Sequence, residues 1–183
     1  MEYNYTFKLD YDKANRLVAF TKTFSIDSRH EGIARCKRIG RTLTISSVNS
    51  FSMGSLKFAG EDFDEIPEGE EFYITVPKKK FTKKDVCVSI NATQNHTTYA
   101  TAQGSTSLWF DEVTSYTNVD RIIENQAETK FKIAFNPKLL AKALESFDTD
   151  YVELEFSGDI SCAFIKDERE EELAVVAPKR LKK

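Results

Sequence analysis

Two histidines, three cysteines and seven glycines leave this chain short of the parts from which most catalytic and metal centres are assembled. His30 and His96 are isolated, and neither has a Cys, His or carboxylate partner at a ligand spacing such as H-E-x-x-H, so each reads as a surface or turn histidine. Cys36, Cys87 and Cys162 are odd in number and far apart. That excludes a disulfide framework and a zinc knuckle and leaves three reduced thiols packed as small hydrophobes. The few glycines form neither G-x-x-x-x-G-K-[ST] nor G-x-G-x-x-G. No catalytic residue, metal or cofactor is therefore expected. No apolar run approaches the length of a membrane span, and Met1-Glu2-Tyr3-Asn4-Tyr5 has neither a charged n-region nor an apolar h-region. A cytoplasmic location without membrane contact is the expectation, and there the sequons at Asn91 and Asn95 would not meet a glycosylating enzyme. The single tryptophan, Trp109, lies in an apolar strand-like run and reads as core.

What the chain does have is apolar content of 40% and aromatic content of 12%, enough for a folded core. Its net charge is −3, but the charge is unevenly distributed. Acidic residues gather at Glu61-Asp62-Phe63-Asp64-Glu65, in 68–71 and in 167–172, while basic residues gather in the helix-like segments.

Hydrophobic periodicity gives the organisation. Phe131-Lys132-Ile133-Ala134-Phe135 alternates as a half-buried strand does. Asn136 is a good N-cap and Pro137 suits the first helical position. Leu140, Ala143, Leu144 and Phe147 then share one helical face, with Lys138, Lys142 and Glu145 opposite. Three strand-like runs follow, ending in Val175-Val176-Ala177-Pro178-Lys179-Arg180-Leu181.

The same order appears at the start. Tyr5-Thr6-Phe7-Lys8-Leu9 predicts a strand, and Asp10 caps a helix whose apolar face is Ala14, Leu17, Val18 and Phe24, with Phe20 at its margin. Asn15, Arg16 and Lys22 occupy its polar arc and Lys13 its boundary. Strands are expected over 29–36, 42–48 and 51–58. An acidic loop over 61–70 connects to a second pass: a strand at Phe72-Tyr73-Ile74-Thr75-Val76, a short helix opened by Pro77 and carrying Lys78, Lys79, Lys80, Lys83 and Lys84, and strands over 86–91, 97–103 and 107–113. The expected fold class is α+β: three β-α-β-β-β modules with a period of about sixty residues, their helices on one face of antiparallel sheets. The expected domains are 1–125, a complete pair of modules (about 1–65 and 70–125), and 126–183, half of another.

Strand, capped helix, then three strands ending in a Pro-x-Arg-Leu tail resembles the final half-domain of the bacterial DNA polymerase III beta subunit, the sliding clamp. Family members end in Met-Pro-Met-Arg-Leu, where this chain has Ala177-Pro178-Lys179-Arg180-Leu181. Tyr116-Thr117-Asn118-Val119-Asp120-Arg121-Ile122-Ile123 is similar to the family's Phe-Pro-Asp-Tyr-x-Arg-Val connector, with Thr117 in place of proline. The resemblance implies a DNA-clamp fold and a non-enzymatic processivity factor that encircles duplex DNA without reading its sequence and tethers a DNA polymerase, with a clamp loader as a possible further partner. Lys13, Arg16, Lys22, Lys78, Lys79, Lys80, Lys83, Lys84, Lys138 and Lys142 would then face phosphates.

Val176, Pro178, Arg180 and Leu181 would line the pocket for partner peptides, with 48–53 as the other wall. The abbreviated length suggests a phage or mobile-element origin. A lone third module would leave an apolar helix face and sheet edges open, so a homo-oligomer is expected, either a dimer or a ring of four chains reaching the family's twelve modules. Two other readings stand beside this one: a clamp-fold adaptor or decoy that binds replication proteins without encircling DNA, and an open-groove single-strand binder.

Overall fold

The computed structural model describes residues 2–25, 31–49, 51–60, 62–113, 116–117, 119–125, 132–158, 161–169 and 172–179. The chain divides into two compact units, Met1–Asn125 and Gln126–Lys183.

The first unit opens with β1 (Asn4–Asp10), whose last residue caps α1 (Tyr11–Phe24): the Asp10 carboxylate accepts a hydrogen bond from the Lys13 amide at 2.8 Å. β2 (Ile33–Ile39), β3 (Thr42–Val48) and β4 (Met53–Ala59) follow as a meander, and β2 turns into β3 at Gly40, whose φ of 58° favours glycine. The second module is β5 (Glu71–Thr75), β6 (Cys87–Thr93), β7 (His96–Thr101) and β8 (Gly104–Trp109), after which α2 (Val119–Glu124) forms within the connector.

The two modules exchange their first strands. One sheet runs β4-β3-β2-β5 and the other β1-β6-β7-β8, so each module's opening strand lies in its neighbour's sheet. The register places inward residues opposite one another: Phe7 with Ile90 and Leu9 with Val88 on one side, Phe72 with Cys36 and Ile74 with Ala34 on the other. Phe7 and Phe72, one from each exchanged strand, meet edge-on with ring centres 6.2 Å apart, and Phe63 meets Phe7 at 5.9 Å. Leu17, Leu43, Ile45, Ile66 and Ile74 complete one continuous buried core.

Several expectations change here. The loop over 61–70 is more than a solvated acidic link, because Phe63 and Ile66 are fully buried and the Arg38 guanidinium donates to the Asp64 and Ile66 carbonyls. Trp109 is 70% exposed rather than core. It takes the outward position of the strand alternation on edge strand β8, opposite and ring-to-ring with His96 at 4.7 Å. The helix expected after Pro77 does not form. Phe81 is the only large apolar side chain between Pro77 and Asp85, so the segment has no apolar stripe to bury. Its backbone groups are taken instead by the side chains of Asn15 and Asp85.

The second unit comprises α3 (Pro137–Leu144) and a sheet of order β11-β10-β9, from β9 (Val152–Glu155), β10 (Ala163–Asp167) and β11 (Leu173–Val176). Asn136 caps α3 as expected, accepting from the Lys138 amide at 3.0 Å. Leu140, Ala143 and Phe147 pack on a small core of Ala163, Ile165 and Val176. Among the described residues, the strand expected before α3 pairs with none of these strands; Phe131 lies outside the described residues, and the Ala134 carbonyl accepts a hydrogen bond from the Lys179 amide at 2.7 Å.

Gly54 on β4 lies beneath the Phe20 and Phe24 rings of α1, and a Cβ there would come within 2.6 Å of the first and 2.7 Å of the second. Gly54→Ala should therefore lower the stability of the first unit by about 1–3 kcal/mol, read as a shifted urea midpoint with an unchanged slope.

Candidate nucleic-acid interface

A hydrogen-bonded clasp joins α1 to the lysine-bearing segment 76–86 of the first unit. Asn15, on the polar arc of α1, donates through Nδ2 to the Phe81 carbonyl at 3.3 Å and accepts from the Phe81 amide at 2.9 Å. The Phe81 ring turns onto Tyr99, with centres 5.9 Å apart. This fixes the middle of the segment 76–86 against the helix.

A second anchor lies four residues on. The Asp85 carboxylate accepts from both the amide and the hydroxyl of Thr82 at 2.8 Å, and the Asp85 amide returns a bond to the Thr82 carbonyl at 2.9 Å. The Thr101 hydroxyl, and after it these Thr82 groups, hold the Asp85 carboxyl below its ordinary value.

Eight cations are thereby gathered on one helix and one adjoining loop: Lys13, Arg16, Lys22, Lys78, Lys79, Lys80, Lys83 and Lys84. Arg16, Lys22, Lys79, Lys80, Lys83 and Lys84 are exposed. Lys13 pairs with Asp10 at 3.4 Å and Lys78 with Glu31 at 2.8 Å. Both pairs are solvated and worth little in stability, so a polyanion could displace either carboxylate at small cost. Where the missing helix would have covered the sheet, a groove of about 650 Å³ remains, lined by Val76, Tyr99 and Leu108 together with Lys78, Lys79 and Lys80. A smaller cavity of about 350 Å³ has Lys22 and Lys78 in its lining. The arrangement offers closely spaced positive charge and no base-reading pair of side chains held in a fixed fork, which suits a phosphate backbone of any sequence.

Lys138 and Lys142 are exposed on α3 of the second unit. Of the tail residues, Val176 is buried against Ala163 in that unit's core, Pro178 is half-buried, and Arg180 and Leu181 lie outside the described residues. In the 48–53 turn of the first unit, Asn49 accepts from the amides of Phe51 and Ser52, and Phe51 stands almost wholly exposed.

Sequence reasoning missed Asn15, Phe81 and Asp85 as the residues that position the lysines. The available signals were an asparagine in mid-helix, where it is a poor helix former, and a Thr-x-x-Asp turn.

The sequence profile of the family described as DNA polymerase III beta subunit, C-terminal domain, matches residues 64–180. The chain belongs to the DNA polymerase III beta subunit family. No curated protein matches it. Among solved structures it is similar to the DnaN sliding clamp of Pseudomonas aeruginosa bound to griselimycin, at 15% identity and a TM-score of 0.70, over 96% of this chain and 51% of that one. It is also similar to the DNA polymerase sliding clamp of Caulobacter crescentus (11% identity, TM-score 0.65, 97% of this chain and 51% of that one). A third likeness is to the beta subunit from DNA polymerase of Streptococcus pyogenes (12% identity, TM-score 0.51, 97% and 66%). At these identities the likeness is one of fold, the clamp fold. The chain spans between about half and two thirds of the length of these clamps. Among the described residues no helix is long and apolar enough to cross a membrane, and no group of His, Cys, Asp or Glu is placed to hold a metal ion.

Asp85→Ala should free the Thr82 amide for hydrogen exchange at neutral pH while leaving Ile90 in β6 protected. In the parent protein the same loss should appear only in acid. A carboxyl held below its ordinary value stabilises the fold above that value, and the contribution disappears as pH falls through the depressed pKa.

Proposed function

We propose that this chain is a DNA sliding clamp, a non-enzymatic processivity factor that assembles with copies of itself around duplex DNA and tethers a DNA polymerase. The observation that carries the reading is the cation cluster on α1 and the 76–86 loop, set on a clamp fold. A tether that must travel along DNA needs attraction to phosphates and no grip on bases. Exposed lysines meet that need: each is a mobile point charge on a flexible stem, able to pass from one phosphate to the next. Lys138 and Lys142 on α3 would extend the same chemistry to the third module, and Pro178, Arg180 and Leu181 would supply one side of a partner-peptide pocket. Val176 contributes to that pocket through the backbone of β11, since its side chain belongs to the core. With three modules per chain, four chains would supply a ring of twelve.

A second reading is a clamp-fold adaptor that binds replication proteins without encircling DNA. It keeps the clamp fold and the partner-peptide surface and asks nothing of the cations on α1 and the 76–86 loop.

Retention on a nicked circular plasmid, lost when the plasmid is linearised, is the expected behaviour of an encircling clamp. Binding of clamp-directed peptides without such retention would instead establish the adaptor. In the first case, Lys79→Ala combined with Lys80→Ala should reduce the slope of log affinity against log salt by roughly 0.9 for each phosphate no longer neutralised, equally for all DNA sequences.

A further inference from the structure

The two modules of the first unit share a plan, and one of them lacks a part. In the first module the chain between β1 and β2 forms α1, which lies against β3 and β4, where the paired residues Leu43 with Phe58 and Ile45 with Leu56 are all buried. In the second module the chain between β5 and β6 forms no helix, and the corresponding pairs on β7 and β8 are Thr97 with Leu108 and Tyr99 with Thr106. Thr97 and Tyr99 are buried, but Thr106 is exposed and Leu108 half-buried. The groove of about 650 Å³ lies over this uncovered side, with Val76, Tyr99, Thr106 and Leu108 in its lining and Lys78, Lys79 and Lys80 alongside them. It is the seat of a helix that the segment 77–86 does not supply, with apolar side chains in its floor and basic ones on its rim.

We propose that this groove docks an acidic amphipathic helix of a partner protein. Each property of the occupant follows from the site. A helix fills the equivalent place in the first module, where Ala14, Leu17, Val18 and Thr21 form the buried stripe of α1. An apolar stripe at the same spacing would cover Val76 and Leu108. The flanks of that stripe must be acidic. Lys78, Lys79 and Lys80 line the groove, Lys83 and Lys84 are exposed on the same segment, and two of the carboxylates nearby are engaged, Glu31 with Lys78 and Asp85 with Thr82. Unstacked bases fit the site less well, because they need open aromatic faces, whereas the Phe81 ring is turned onto Tyr99 and Tyr99 is itself 3% exposed. The docking rests on the clamp fold alone. Its consequence rests on the clamp function proposed above: helix and duplex would draw on the same lysines, so the partner would loosen the hold on phosphates.

Fluorescence anisotropy tests this on the whole chain, with a labelled synthetic peptide that carries leucines at i, i+3, i+4 and i+7 and glutamate and alanine elsewhere. The expected result is binding in the micromolar range that shifts the NMR signals of Thr106 and Leu108, leaves those of Leu56 and Phe58 in place, and is reversed by duplex DNA. Thr106→Trp fills the floor from an exposed position without changing charge. It should weaken the peptide roughly tenfold or more, while duplex affinity and the unfolding transition stay unchanged. Lys79→Glu with Lys80→Glu should lose the glutamate peptide and gain its lysine counterpart, an exchange that misfolding would not produce. No binding, equal binding of a scrambled peptide of the same composition, binding indifferent to Thr106→Trp, or binding undisturbed by duplex overturns the proposal. So does oligothymidylate binding that Thr106→Trp abolishes in the same measure, which would assign the groove to single-stranded DNA. Peptide docking by a chain not retained on nicked circles would overturn the encircling function and leave the docking standing; retention by a chain that docks no peptide would do the reverse.

Discussion

The structure of the first unit depends on strand exchange. A short strand has too little apolar surface to fold against its own helix alone, and each module here solves the problem by inserting its opening strand into the other's sheet. β1 and β5 carry the buried Phe7 and Phe72 and bring them together with Phe63 in the shared core. Because long-range pairing of this kind buries both strands at once, neither module has a core without the other. The loop between them is drawn in by the same logic: Phe63 and Ile66 plug the junction, and Arg38 holds their backbone in place.

The charge of the first unit is arranged around that core. Burial of Glu71 would by itself raise its carboxyl, but hydrogen bonds from Arg35 and Lys37 outweigh it and leave the group below its ordinary value. That consumes two cations on a sheet face. In the 76–86 loop Lys78 makes only a solvated pair with Glu31, and Lys79, Lys80, Lys83 and Lys84 are exposed. They are presented by a loop whose backbone is held by Asn15 and Asp85, so the scaffold is ordered while the charges stay solvated. A helix in that place would have required an apolar stripe and hence fewer lysines. The departure from regular structure raises the density of positive charge at the site.

The second unit follows the same plan with half the parts. Its helix is capped and its three strands pair in register, but its apolar residues outnumber the positions available to bury them. Leu144, Leu154 and Phe156 remain exposed, whereas Val18, which stands in the two-module unit where Leu144 stands here, is covered. Burial of each such side chain would contribute about 1.5–3 kcal/mol.

Local chemistry was legible in the sequence wherever it was decided within a few residues. Asp10 and Asn136 as caps, Pro137 at a helix start, the apolar stripe of α1, the meander β2-β3-β4 and the α+β pattern all follow from neighbouring side chains and their periodicity. The clamp resemblance was visible in the order of those elements. What depended on partners distant in the chain was not legible. The backbone of the segment after Pro77 is held by Asn15, more than sixty residues away in the chain. Trp109 is exposed because the register of β8 with β7 sets it opposite His96 on the outer face, and Val176 is core because pairing with β10 sets it beside Ala163. That β1 belongs to the sheet of β6 and β5 to that of β2 is a choice between equally apolar edges, and only the closing of one core over both modules decides it.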